Sequence, residues 1–147
     1  MNDSPDEVSP NDVVYRVMEV RSVLYDLHDA SPVVHLFEAE EPFRYLTIPV
    51  GLAEATSLNN ALGGIEPRRP TTHDVALSIL QSVPADIISA RIVRKVNGVF
   101  YAELDVMTPR GRQTFDCRAS DALNFALRQK PAAPVLCAEE VLADLLA

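Results

Sequence analysis

From Val13 to Leu27, the β-branched and aliphatic residues Val14, Val17, Val20, Val23 and Leu24 recur with no Gly or Pro between them. That pattern predicts a long strand. His28-Asp29-Ala30-Ser31-Pro32 makes a turn, and Val33–Glu38 and Arg44–Val50 read as two further strands around the acidic turn Glu40-Glu41-Pro42. The period then lengthens. Ala55, Leu58 and Leu62 fall at helical spacing, which predicts a helix from Gly51 to Leu62 stopped by Gly63-Gly64. Thr71 or Thr72 caps a second helix reaching about Val83, with Val75, Ile79 and Leu80 on its apolar positions. Ile87–Val96 and Val99–Met107 flank Asn97-Gly98, a pair that tolerates positive φ at both residues and so predicts a tight hairpin. After the turn Pro109-Arg110-Gly111 come a strand near Gln113–Cys117 and a helix from Ser120 to about Gln129, ending before Pro131. A short strand at Val135-Leu136-Cys137 and a helix over Glu139–Leu146 complete the chain.

Hairpins alternating with helices define an α+β fold, in which an antiparallel-rich mixed sheet carries packed helices. The order also repeats. Three strands and a helix at 13–62 recur at 86–129, and each helix opens with an acid-alanine pair, Glu54-Ala55 and Asp121-Ala122. Leu58 and Phe125 each follow four residues after the acid. An internal duplication of a three-strand-plus-helix unit would produce this match, and so would the preference of any first helical turn for acids.

A length of 147 residues with 48% hydrophobic content fits one domain with a substantial core, taken here as 13–147. Residues 1–12 carry four acids, two prolines and almost no apolar side chain, and read as a disordered acidic tail. No apolar run is long enough to span a membrane, and the N-terminus lacks the basic start and apolar stretch of a signal peptide, so a cytoplasmic protein is expected. Cys117 and Cys137 have neither metal-motif spacing nor the number a disulfide framework needs, and read as buried free thiols. The net charge of -8 excludes a sequence-blind electrostatic grip on nucleic acid by the chain as a whole. Residues 68–130 reverse that balance with ten bases against six acids, which is either a local basic surface or arginines scattered over solvated strand faces.

Candidate chemistry collects at the helix starts. His73 is the one histidine in a polar cluster; beside a helix N-terminus its neutral form is favoured, suited to general-base or metal-ligand duty, while the plainer reading has it closing the helix start beside Asp74. His28 and His35 carry no assigned role. Glu54, Asp74 and Asp121 are the carboxylates that could converge on Mg²⁺ or Mn²⁺, and each could equally compensate its own helix dipole. Ser120 reads as the N-cap of its helix. Arg69 and Arg118 could share an anionic ligand, or form ion pairs such as Arg118 with Glu54 or Arg69 with Asp121.

The motifs Ile48-Pro49-Val50-Gly51 with Glu54-Ala55, Arg69-Pro70-Thr71-Thr72-His73-Asp74, Phe100-Tyr101-Ala102, and Arg118-Ala119-Ser120-Asp121-Ala122 with Ala126-Leu127-Arg128 occur in order along the chain. In this the chain resembles the bifunctional nuclease domain family, proteins with DNase and RNase activity, from about Val17 to Leu146. Ala119 and Leu123 replace the proline and isoleucine of the family pattern, and no tryptophan stands between Pro49 and Gly51. The resemblance implies a nuclease acting on DNA or RNA phosphodiesters with a divalent metal, Mg or Mn, and no organic cofactor. Glu54, His73, Asp74 and Asp121 would be catalytic, with Glu54, Asp74 and Asp121 holding the metal. Arg69, Arg118 and Ser120 would bind substrate. The alternative is a non-catalytic module that binds a partner protein, an anionic metabolite or nucleic acid. A homodimer is the expected assembly on general frequency, with the 87–107 hairpin as the sheet edge on which it would form.

Overall fold

A computed structural model of the chain describes residues 12–25, 28 and 31–146. The expected acidic tail therefore lies, save for Asp12, outside the described residues. Seven strands form one mixed sheet: β1 (Tyr15–Tyr25), β2 (Pro32–Glu38), β3 (Tyr45–Pro49), β4 (Asp86–Val96), β5 (Val99–Thr108), β6 (Gly111–Arg118) and β7 (Val135–Ala138). The helices are α1 (Leu52–Gly63), α2 (Thr72–Gln81), α3 (Ala119–Arg128) and the short α4 (Glu139–Ala143), which passes into a 3₁₀ turn at Asp144–Leu146. No helix among the described residues is long and apolar enough to cross a membrane.

The sheet order is β3-β2-β1-β7-β4-β5-β6. β7 runs antiparallel to β1 and parallel to β4, so β1 and β4 point in opposite directions across it. In strand order and direction, β1-β2-β3 on one side of β7 thus mirrors β4-β5-β6 on the other as a half-turn about the sheet normal would. α1 packs over β1 and β2, α3 over β4 and β5, and the two helices pack on each other. This is the arrangement an internal duplication would leave, with β7 wedged between the halves.

The Asn97-Gly98 turn forms as expected, with φ of 50° and 79° at the two residues. The hairpin it joins is not a sheet edge, however. β4 lies between β7 and β5, and β5 between β4 and β6, so the edges of the sheet are β3 and β6. Sequence proximity pairs β4 with β5, but only the tertiary path supplies β7 on the outer side of β4.

Strand alternation places the core. β2 buries Pro32, Val34, Leu36 and Glu38 in strict succession, matched by Leu46 and Ile48 of β3 and by Ala102, Leu104 and Val106 of β5. Glu38 occupies what would be an apolar position, so its charge needs partners. Arg16 Nε donates to Glu38 Oε2 at 2.8 Å, Arg44 holds both carboxylate oxygens, and Arg44 also donates twice to Glu139 of α4, at 2.8 and 2.7 Å. The Arg44 hydrogen bonds outweigh burial and, with Arg16, draw the Glu38 carboxyl down from 4.5 to about 2. A second such knot surrounds the fully buried Asp105, which accepts from Ser89, Arg91, Arg112 and Thr114.

Glu38→Ala should leave Arg16 and Arg44 without their shared counter-charge and cost about 3 kcal/mol of stability at neutral pH, read from the urea midpoint. The carboxyl is depressed on folding, so its contribution is full above the unfolded value of 4.5 and is lost as pH falls towards 2. The stability gap between wild type and variant should therefore narrow across that acid range.

Candidate functional site

Three helix N-termini meet on one side of the sheet, and each carries an acid at its third helical position. Gly51, Thr71 and Arg118 are the N-cap residues, and Glu54, Asp74 and Asp121 follow three residues after them. An acid there lies against the positive end of its helix dipole and the unpaired first-turn N–H groups. The three acids then diverge in role according to what else reaches them.

Asp74 is structural by its contacts. Its Oδ2 accepts from the Thr71 backbone N–H at 2.9 Å and from the Thr71 hydroxyl at 2.8 Å, while Oδ1 accepts from Arg128 Nε at 2.9 Å. The Thr71 backbone bond, then Arg128, lower its carboxyl to about 2 against the opposing effect of burial. Arg128, almost fully buried, also donates to the Ser57 carbonyl and hydroxyl at 3.0 Å each and to Asn124 Oδ1 at 2.7 Å. One guanidinium thereby ties α1, α2 and α3 together.

His73 stands in the first turn of α2 with both ring nitrogens engaged. Nδ1 lies 2.8 Å from Ser57 Oγ and Nε2 lies 3.0 Å from Asp121 Oδ1, and the ring meets Phe125 edge-on at 5.7 Å between centroids. A carboxylate only accepts, so Nε2 carries a proton in this arrangement. The neutral base expected from the helix dipole is thus presented as a donor on its Asp121 side. Asp121 itself is pushed up by burial and pulled down further by Arg118 and His73, for a net lowering.

Arg118 closes the cluster from outside. Nε donates to Asp121 Oδ2 at 2.9 Å, Nη2 to Asp121 Oδ1 at 3.1 Å and Nη1 to Glu54 Oε1 at 3.1 Å. Three of the five guanidinium donors are so used, and two remain. Side-chain exposure falls from 65% at Arg118 through 25% at Asp121 to 12% at His73, and Ser57 behind the ring is buried. The chain of contacts therefore runs from solvent to core.

Glu54 folds back over Gly51, so closely that a Cβ on Gly51 would collide with Glu54 Oε2. A side chain at residue 51 would displace the end of the flexible Glu54 carboxylate. Of the carboxylate oxygens on Glu54, Asp74 and Asp121, only Glu54 Oε2 lacks a hydrogen-bond partner among the described residues. Glu54, Ser57, His73, Arg118 and Asp121 line a cleft of about 570 Å³.

The expected residues divide accordingly. Glu54, His73, Arg118 and Asp121 come together, and the Arg118–Glu54 pair forms. Asp74 belongs to the same network but lines a different cleft, on the Arg128 side. Arg69 is exposed, makes no ion pair among the described residues and does not line the main cleft. Ser120 is not the N-cap: the helix begins at Ala119 with Arg118 as its cap, and Ser120 lies buried against a neighbouring cleft of about 270 Å³. β6 ends at Arg118 and α3 begins at the next residue, which places Ser120 inside the helix. Ser57 and Arg128 are not site residues on the sequence reading: a serine inside a helix carries no local signal, and Arg128 enters only as part of the Ala126-Leu127-Arg128 motif.

The donor set does not fit a carboxylate-held divalent ion. Mg²⁺ or Mn²⁺ needs carboxylate lone pairs facing one another, and here arginine, threonine and histidine take almost all of them. Among the described residues no group of three or more His, Cys, Asp or Glu is arranged to hold a metal. Four of the ten bases in the stretch 68–130 are spent internally: Arg91 and Arg112 on Asp105, Arg118 on Asp121 and Arg128 on Asp74. Cys137 is buried and Cys117 half-buried, both free, with burial raising their thiols to about 12 and about 11.

The burial gradient separates architecture from chemistry in a measurable way. Asp74→Ala should cost about 3 kcal/mol, through the lost cap and the stranded Arg128. Arg118→Ala, at an exposed pair, should change stability by less than about 1 kcal/mol. Urea denaturation of the two variants in parallel measures the contrast.

Comparison with known proteins bears on the same residues. Residues 34–146 match the family model of the bifunctional nuclease domain. Over 113 residues the chain is 36% identical to two Mycobacterium tuberculosis proteins, the uncharacterized proteins MT1877 and Rv1829 from two strains. That stretch is 77% of this chain and 65% of each relative, so the match spans a little under two-thirds of their length. With most of its sheet and the entire helix-junction cluster inside the matched span, the chain belongs to the bifunctional nuclease domain family.

Proposed function

We propose that the cleft at the junction of α1, α2 and α3 is a phosphodiester-cleaving site, and that the chain is a nuclease acting on nucleic-acid strands. The observation that carries this reading is Arg118: an exposed guanidinium, fixed by two carboxylates, with two donors free over a cleft that Glu54 and His73 also line. Guanidinium donors match the non-bridging oxygens of a phosphate and stabilise charge that grows on them in the transition state. Glu54 Oε2 is placed to accept a proton from an attacking oxygen. His73 Nε2–H donates to Asp121 Oδ1 and so fixes the carboxylate that holds Arg118. Asp121 orients both His73 and Arg118, and Ser57 and Arg128 hold the imidazole from behind.

One observation favours a second reading, a non-catalytic module that binds an anionic ligand. Arg118 and Asp121 are already paired, and an ion pair of this kind can serve architecture alone. Cleavage of labelled single- and double-stranded DNA and RNA separates the two. A nuclease should lose about a hundredfold or more in rate on Arg118→Ala with the fold kept, as judged by circular dichroism. Absence of cleavage of every strand, with retained binding that Arg118→Ala weakens, would select the binding module instead.

A further inference from the structure

Beyond the cleavage reading, and independent of it, we propose that the smaller cleft beside Arg118 is a phosphate subsite. It binds a phosphate monoester, with Ser120 and the first turn of α3 as donors and Arg118 as the cation.

The inference starts from Ser120. Only 6% of the residue is exposed. Its backbone carbonyl accepts from Asn124, but its hydroxyl makes no hydrogen bond among the described residues. No side-chain polar atom that is itself buried lacks a partner there, so the Ser120 hydroxyl oxygen is one that solvent reaches. Ser120 lines the cleft of about 270 Å³, and its hydroxyl opens into it. A hydroxyl set so deep and spent on nothing within the protein is available to a ligand.

The charged and dipolar groups around it share one sign. Arg118, Ala119 and Ser120 open α3 along this cleft, and no side chain caps the helix. Its first-turn N–H groups therefore remain available at the positive end of the dipole. Gly51, the N-cap of α1, belongs to the same lining, and α1 has no side-chain cap either. Arg118 lines both clefts and keeps two donors that Glu54 and Asp121 do not use. Lys95 Nζ lies 5.0 Å from the centre of the Phe100 ring, which forms part of the wall, and makes no ion pair among the described residues. No carboxylate lines the smaller cleft, whereas Glu54 and Asp121 line the main one.

An anion is thus better placed on the Ser120 side of Arg118 than on the Glu54 side. A phosphate monoester carries about two negative charges at neutral pH and three terminal oxygens. The helix N–H groups, the hydroxyl and the guanidinium can serve one oxygen each. Val50, Val99 and Phe100 give the organic part of the ester an apolar wall. A phosphodiester, with two such oxygens and one charge, uses this set less fully. The monoester is either the terminal phosphate of a strand or that of a free mononucleotide.

Isothermal titration calorimetry of the full chain with inorganic phosphate, adenosine 5′-monophosphate and adenosine tests the site. Phosphate and the monophosphate should bind, and adenosine should not. Ser120→Ala removes a hydroxyl that holds nothing inside the fold, and should weaken both by about tenfold. Val99→Asp, at an exposed position that lines this cleft and not the main one, should abolish binding by charge. Circular dichroism checks that both variants fold. Oligonucleotides ending in a 5′-phosphate or a 5′-hydroxyl identify the source. Tighter binding of the phosphorylated strand, with the gain lost in Ser120→Ala, supports a strand end. Equal binding of the two strands, with the free monophosphate bound, supports the mononucleotide. No binding of phosphate or monophosphate, or binding that both variants leave unchanged, would overturn the subsite and leave the cleavage reading standing. A folded chain that binds the monophosphate but cuts no strand would overturn the cleavage reading and leave the subsite.

Discussion

The junction of three helix N-termini is the constraint around which the rest is arranged. Bringing the positive ends of α1, α2 and α3 together on one face of a sheet is unfavourable unless negative charge sits among them. Glu54, Asp74 and Asp121, each third in its helix, supply that charge. Three close acids would then repel one another, and Arg118 and Arg128 intervene. Arg128 does so from the buried side and Arg118 from the solvent side. The first turns a set of helix ends into a packed unit; the second leaves a charged group facing outwards over a cleft.

Much of this was legible in the sequence, and the legible part is local. The Asn97-Gly98 hairpin, the strand alternation of β2 and the glycine stop of α1 follow from the φ preferences or side-chain period of neighbouring residues. The three acids were readable because a first-turn acid is a property of four consecutive residues. The alternation of three strands and a helix also showed the two halves. What the sequence did not show is non-local. The place of β7 between β1 and β4 rests on contacts between segments far apart in the chain. The knot of Arg16, Glu38, Arg44 and Glu139 joins residues up to 95 positions apart along one hydrogen bond. Glu38 reads as the polar end of a strand, and only the register of β2 against β1 makes it a core position.

The site was half legible for the same reason. Glu54, His73, Arg118 and Asp121 sit in recognisable motifs at helix starts, and those residues meet. Ser57, which sets the imidazole, lies in the second turn of α1, and Arg128, which binds the helices, is the last residue of α3, both places where polar residues ordinarily face water. Ser57 and Asn124 each stand three residues after the acid of their helix, in matching places of the two halves. Both are buried, and both accept from Arg128. The correspondence between the two halves thus extends from the visible acid-alanine pairs to a hidden pair of polar residues that share one arginine.

Pairing of arginine with carboxylate is this chain's general way of burying charge, so pairing cannot by itself mark a functional site. Asp105 accepts from two arginines and two hydroxyls, and Glu38 from two arginines, with every buried side-chain polar atom among the described residues satisfied. Such knots have no acceptor to spare and, at Glu38 and Asp105, no opening to solvent. The helix junction differs in two particulars. Glu54 Oε2 lies over Gly51, and no donor among the described residues reaches it. Arg118 has donors to spare because its two carboxylates occupy only three of them. A purely architectural cluster gains nothing from an open acceptor beside an open donor. A site that must pass a proton in one direction and hold an anion in the other requires both.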